Sequence, residues 1–294
     1  MPAQPNSPSD IPRYVLTLSC PDRTGIVAAV TGFLARHRAN LVDASHFNDE
    51  DTRTSFVRAL FHDDGSGMPS IDELGQQFAP LAQQFEMQWR FHPEAQPCRT
   101  LIAVSTAGHC LSSMLHRWSI GALPIEVVGV VSNHRTLEAQ ANYHNVPFHH
   151  LPITDAGQRA QEAQLQSLCE SLDVGLLVLA RYMRILSPEF CRTLRGHAIN
   201  IHHSFLPGFK GARPYHQAYE RGVKLIGATA HFVTDELDEG PIIEQAVERV
   251  DHTFTPEKLI DVGRDLESLV LNRAVKWYAE HRVFENATKT VVLK

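Results

Sequence analysis

VGLLVLA, residues 174–180, is the longest apolar run in the chain. It is strand-sized, far short of the roughly 20 residues that a bilayer-spanning helix needs. An apolar run with no polar alternation marks a strand covered on both faces. Similar runs flank it at Thr100 to Ser105, Glu126 to Val131, Val146 to Leu151 and Ala198 to Ile201. Most are separated by stretches with helical spacing: Cys110 to Trp118, Thr136 to His144, Gln158 to Leu172 and Pro188 to Leu194. Repeated strand and helix imply an α/β domain on a mainly parallel sheet, whose ligand sits beyond the carboxyl ends of the strands. Thr255 to Val283 reads as a long amphipathic helix, opened by Thr255-Pro256-Glu257.

Upstream the rhythm is different. Arg13 to Ser19 (RYVLTLS) alternates apolar and polar, and Gly25 to His37 (GIVAAVTGFLARH) shifts to helical spacing. Leu41 to Phe47 and Thr54 to Phe61 read as strands joined by the acidic turn 48–51, followed by a helix over Ile71 to Phe85 and an extended stretch over Glu86 to His92. The order βαββαβ is that of a ferredoxin-like sandwich. The expected organisation is therefore a polar, Pro-rich, disordered tail over 1–12, a first domain over 13–92, a linker over 93–97 with Pro93 and Pro97, and a second domain over 98–294.

A chain of 294 residues accommodates two such domains. With 43% hydrophobic and 20% charged residues it has the composition of a folded protein, and a net charge of -6 gives no bulk attraction for nucleic acid or an anionic membrane. The start, MPAQPNSPSD, lacks the basic and apolar regions of a signal peptide, so the expected address is cytoplasmic. Five cysteines without a C-x-x-C pair fit neither a disulfide framework nor a thiolate zinc site. The 17 histidines include no H-E-x-x-H, and no metal is expected.

The densest polar group follows the run Ala198 to Ile201. Asn200 and His202 lie two residues apart on an extended segment, so their side chains share a face. Downstream, His231 lies in the strand-like Ala228 to Val233, and Asp238 lies in the acidic loop Thr234 to Gly240, where it could fold back over the imidazole. Singly, an Asn at a strand end or an Asp near a Gly is an ordinary turn former. Together, an amide donor, an imidazole and a carboxylate, with no evident nucleophile, suit a reaction at a carbonyl.

Ala198 to Gly211 (AINIHHSFLPGFKG), with Leu179 to Pro188 (LARYMRILSP) and Gly227 to Gln245 (GATAHFVTDELDEGPIIEQ), resembles the formyltransferase fold of the 10-formyltetrahydrofolate enzymes, a Rossmann-like domain. That resemblance makes Asn200, His202 and Asp238 the catalytic trio. It makes Met183, Arg184, Ile185, Leu186, His231, Thr234 and Gly240 substrate contacts. Cys20 to Val27 (CPDRTGIV) resembles the first turn of an ACT domain, which implies effector binding at Asp22, Thr24, Gly25 and Ile26. An ACT domain ahead of a formyltransferase domain is the arrangement of the formyltetrahydrofolate deformylase family, and Tyr215, after Gly211 to Pro214, also resembles that family more than its transferase relatives. The resemblance implies hydrolysis of 10-formyltetrahydrofolate to tetrahydrofolate and formate, no cofactor, methionine and glycine as effectors, and a homo-oligomer, dimer or tetramer.

In the transferase relatives the first strand leads into a Gly-rich loop that holds the acceptor's phosphate. Here it reads Ala107-Gly108-His109-Cys110, without the second glycine, which suits water as the acceptor. Two alternatives compete: a formyltransferase with an amine acceptor, and a non-catalytic folate or amino-acid sensor, which would have no use for the trio.

Overall fold

A computed structural model describes residues 11–153, 157–208 and 214–294. The expected tail lies outside these except for Ile11 and Pro12, as does most of the Gly208 to Pro214 stretch. Among the described residues no helix is long and apolar enough to cross a membrane.

The first unit runs β1 (Arg13–Pro21), α1 (Ile26–Arg36), β2 (Ala39–Asp49), β3 (Thr54–Asp63), α2 (Ile71–Gln84) and β4 (Gln88–Pro93). Its strands form an antiparallel sheet of order β2-β3-β1-β4. The alternation in RYVLTLS places Leu16, Leu18 and Cys20 on one face, against Val57, Ala59 and Phe61 of β3 and Ile26, Val30, Phe33, Leu74 and Phe78 of the helices. Ser70 and Glu73 start α2 with a reciprocal capping box. By contrast α1 begins on Gly25 at φ +94, a conformation that a Cβ disfavours.

The boundary between the two units falls between Gln96 and Pro97. The C-terminal end corrects the expected division: Glu280–Asn286 and Val291–Lys294 belong to the first unit, not to the second. The reason is the other face of β3, where Phe56, Arg58 and Leu60 are also buried, so the sheet needs a second cover. Phe284 packs edge-on against Phe56, the Arg58 Nε–H donates to the Glu280 carbonyl (3.1 Å), and Asn286 donates its amide N–H to the Asp49 carboxylate. The segment carries the hairpin β12 (Val283–Asn286) and β13 (Lys289–Val292), numbered after the second unit's strands.

On the same unit His92 stacks on His281 with ring centroids 3.7 Å apart. Burial, reinforced by neighbouring positive charge, lowers His92 to about 3 and His281 to about 4. An unfolded histidine titrates near 6.5, so between pH 6.5 and 4 the unfolded chain takes up protons that the folded chain refuses. This contribution to stability is complete above pH 6.5 and is lost as pH falls through that window, by up to roughly 1.4 kcal/mol per pH unit for each histidine. The expected result is an unfolding midpoint that drops steadily from pH 7 to 4.5, with a shallower slope in His92→Phe. Equal slopes in the two proteins would remove this pair from the account.

The second unit contains β5 (Cys98–Val104), α3 (His109–Ser119), β6 (Ile125–Ser132), α4 (Glu138–Tyr143), β7 (Phe148–His150), α5 (Gly157–Ser171), β8 (Leu176–Leu179), α6 (Pro188–Thr193) and β9 (Ala198–His202). It continues with α7 (Pro214–Glu220), β10 (Leu225–Phe232), β11 (Ile242–Arg249) and α8 (Pro256–Ala279). Sheet order is β11-β10-β9-β8-β5-β6-β7, parallel from β9 to β7, with β10 antiparallel to both of its neighbours. Leu101, Ile102, Leu176 and Val178 are inaccessible on either face, which is why VGLLVLA shows no alternation. From β5 the chain steps to β6 and β7 on one side, then crosses to β8 on the other. The carboxyl ends of β5 and β8 thus bound a topological switch point, where open α/β sheets leave a crevice.

Candidate active site

Segments leaving the carboxyl ends of β5, β8 and β9 line a cavity of about 640 Å³ at this switch point. Met183, Arg184, Ile185 and Leu186 follow β8, Asn200 and His202 end β9, His231 comes from β10, and Thr234 and Asp238 come from the loop after β10. The 183–187 segment is held at both ends. The Met183 N–H donates to Ser105 Oγ beyond β5 (3.0 Å), and the Ser187 N–H donates to the buried Glu162 carboxylate of α5 (2.8 Å).

Strand register builds the polar centre. Asn200 of β9 lies opposite His231 of β10, and the β10–β11 register shifts between Ala230 and His231. Such a bulge re-aims a side chain next to a site. The His231 Nδ1 lies 2.8 Å from the Phe232 carbonyl, which can only accept, so Nδ1 carries the proton and Nε2 is an acceptor. Asn200 therefore presents Nδ2–H to Nε2 (3.2 Å), which fixes the amide with its nitrogen toward the histidine and leaves a second hydrogen on Nδ2. Burial, the largest influence on His231, keeps it in the neutral form.

Asp238 adopts φ +57, in the left-handed region that Asp tolerates. Its Oδ1 lies 3.1 Å from His202 Nδ1 and 3.9 Å from His231 Nε2. Burial opposes ionisation of Asp238, yet the hydrogen bond and charge of His202, with His231 and His203 behind it, hold the carboxyl below its ordinary value. His202 Nε2 is buried and has no hydrogen-bond partner among the described residues.

Two residues with expected contacts are placed apart from open space. Gly240 is buried and does not line the cavity; a Cβ there would sit 1.7 Å from the Phe232 carbonyl oxygen, so a glycine is what lets the loop pass against β10. Ile26 belongs to the first unit's core, 2% exposed, because it falls in helical phase with Val30, Phe33 and Leu34. At the same turn Asp22 accepts a hydrogen bond from Ser55 Oγ (2.8 Å), while Thr24 and Gly25 face solvent.

The structure adds a second cluster to the cavity wall. Glu267 of α8 is 1% exposed and binds His109 Nε2 (2.7 Å) and the Tyr215 hydroxyl (2.7 Å), with Arg181 Nε at 3.4 Å. Burial works against its charge, but these three partners hold the carboxyl below its usual range. His203 stacks beside His202 at 5.2 Å and is lowered to about 4 by burial and then by the Arg181 charge, so it is neutral near pH 7. The sequence signal for this cluster was a charged residue on the buried stripe of an amphipathic helix.

Residues 98–275 match the family described as formyl transferase, and residues 14–73 match the ACT domain. The chain is 48% identical over 282 residues to the formyltetrahydrofolate deformylase of Corynebacterium sp. (strain P-1), covering 96% of this chain and 98% of that protein. The crystal structure of formyltetrahydrofolate deformylase from Burkholderia mallei is similar with a TM-score of 0.91 and 52% identity, covering 96% of this chain and all 100% of that one. Glycinamide ribonucleotide transformylase 1 from Symbiobacterium toebii is similar with a TM-score of 0.64 and 31% identity, covering 69% of this chain and 97% of its own. The chain belongs to the formyltetrahydrofolate deformylase family and is a hydrolase.

Proposed function

We propose that the protein hydrolyses 10-formyltetrahydrofolate to tetrahydrofolate and formate, using Asn200, His202 and Asp238. The observation that carries this reading is the 3.1 Å contact between His202 and Asp238 beside an amide whose orientation His231 dictates. Water adds to the formyl carbon, and the carbonyl oxygen becomes an oxyanion that the second Nδ2–H of Asn200 meets. His202, with Nδ1 toward Asp238, adds positive charge to that oxygen in its protonated form. Ionised Asp238 takes a proton from the attacking water and passes it to N10 as the C–N bond breaks; the remaining proton of formic acid goes to solvent. Met183, Ile185 and Leu237 are more than half exposed, an apolar rim suited to the flat ring system of a folate.

No cofactor or metal enters this reading. His109, Cys110 and Glu267 bring ligand atoms within 4.8 Å of one another, but the Glu267 carboxylate is already bonded on both oxygens and burial pushes the Cys110 thiol up. Five free cysteines support a cytosolic, reducing setting. In the cell the reaction would return one-carbon units as formate, usable for purine synthesis. The first unit would act as a regulatory part that takes methionine or glycine at the Thr24–Gly25 turn and joins copies into a homo-oligomer.

The test uses purified protein and 10-formyltetrahydrofolate with no amine present, following both products. Stoichiometric formate and tetrahydrofolate at a catalytic rate are expected. Turnover that starts only when an amine is added would replace hydrolysis by transfer.

A further inference from the structure

The Glu267 cluster takes no part in the steps above, although it lines the same cavity. It gathers side chains from four places in the second unit: His109 at the start of α3, Arg181 just past β8, Tyr215 on α7 and Glu267 on α8. Tyr215 is seated directly on the α8 backbone. A Cβ on Gly263 would lie 2.1 Å from its ring, so a glycine in the middle of a long helix is what admits it. One helical turn on, Glu267 holds the Tyr215 hydroxyl. The ring also reaches the trio's side of the cavity, 6.3 Å from His203, which stacks on His202. Arg181 completes the wall at φ +63, a conformation glycine adopts freely and arginine does not. Two of its nitrogens, Nε and Nη1, are buried without a hydrogen bond.

Formyl transfer and hydrolysis at such a centre differ only in the nucleophile. An amine must place its nitrogen at the formyl carbon and its remaining atoms in adjoining space, whereas water needs no such space. The geometry points to the Tyr215–Glu267–Arg181–His109 wall as the device that denies this space to amines, and so sets the acceptor as water. This rests on the hydrolytic reading above. Tyr215 and Arg181 are then specificity-determining residues: they touch neither the formyl group nor the shuttled proton. When the wall is opened, a primary amine adds to the formyl carbon, C–N10 breaks, a new C–N bond forms, and the proton lost by the amine goes to N10.

The experiment is a partition measurement with glycinamide as the probe amine. Wild type, Arg181→Gly, Tyr215→Ala and the double variant turn over 10-formyltetrahydrofolate in its presence, and formylglycinamide is measured against formate, with a blank lacking protein. The product ratio does not depend on how fast a variant works, so a slow variant still reports. Arg181→Gly suits the observed backbone and guards against loss of folding. The expected result is formate alone from wild type, with formylglycinamide no higher than the blank, and formylglycinamide about tenfold or more above the blank in Arg181→Gly and higher still in the double variant. Tyr215→Phe keeps the ring on Gly263 and should stay close to wild type. An unchanged ratio in the folded, active double variant would overturn the inference, as would formylglycinamide from wild type alongside formate. Absence of formate from wild type without amine would instead remove the hydrolytic reading itself.

Discussion

Asp238→Asn is expected to slow turnover of 10-formyltetrahydrofolate by about 10²- to 10⁴-fold, the span of a lost proton-transfer group. The substitution keeps the shape of the side chain, and Asn tolerates the φ +57 backbone as Asp does. Its amide oxygen can still accept from His202 Nδ1, so the loop and the cavity should persist. What disappears is the negative charge and with it the base. Because His202 holds Asp238 below the ordinary carboxyl value of 3.8, its protonation cannot explain a loss of activity well above that pH. Binding of the product tetrahydrofolate should change little. Near-normal turnover in Asp238→Asn would sink the assignment.

Asn200→Ala is expected to lower kcat by about 10²- to 10³-fold with a much smaller change in KM, since the lost donor meets charge that exists only in the transition state. A second effect should accompany it. His231 Nε2 loses its partner inside the sheet, and an unsatisfied buried acceptor costs roughly 1 to 3 kcal/mol. Denaturant unfolding of the variant should show that loss. A change in KM alone would make Asn200 a binding residue and leave the oxyanion without its donor.

Much of this site is legible in AINIH, because a period of two puts Asn200 and His202 on one face whatever follows. Asp238 is visible as a carboxylate in an acidic loop near Gly240, but its pairing with His202 comes only through resemblance, since a loop residue has no periodicity to place it. Gly240 misleads: it stands where a glycine might approach a ligand, but its constraint is the Phe232 carbonyl, a contact that no local pattern encodes. The burial of Ile26 is legible in its helical phase with Val30 and Phe33. Gly263 and Glu267 look like two flaws on a buried stripe until Tyr215, 48 and 52 positions away, explains both. The final hairpin has strand character, but nothing in its sequence says which sheet it covers.

That hairpin makes the first unit discontinuous in the chain. On the ribosome, Phe56, Arg58 and Leu60 emerge before the second unit, and Glu280–Asn286, which cover their face, emerge only after Pro97–Ala279. Throughout translation of the second unit that face of the sheet therefore waits for the segment that covers it. The same geometry forbids treating this unit as a cassette: a fragment cut at Pro97 and fused elsewhere would bring along an uncovered face, not a finished module.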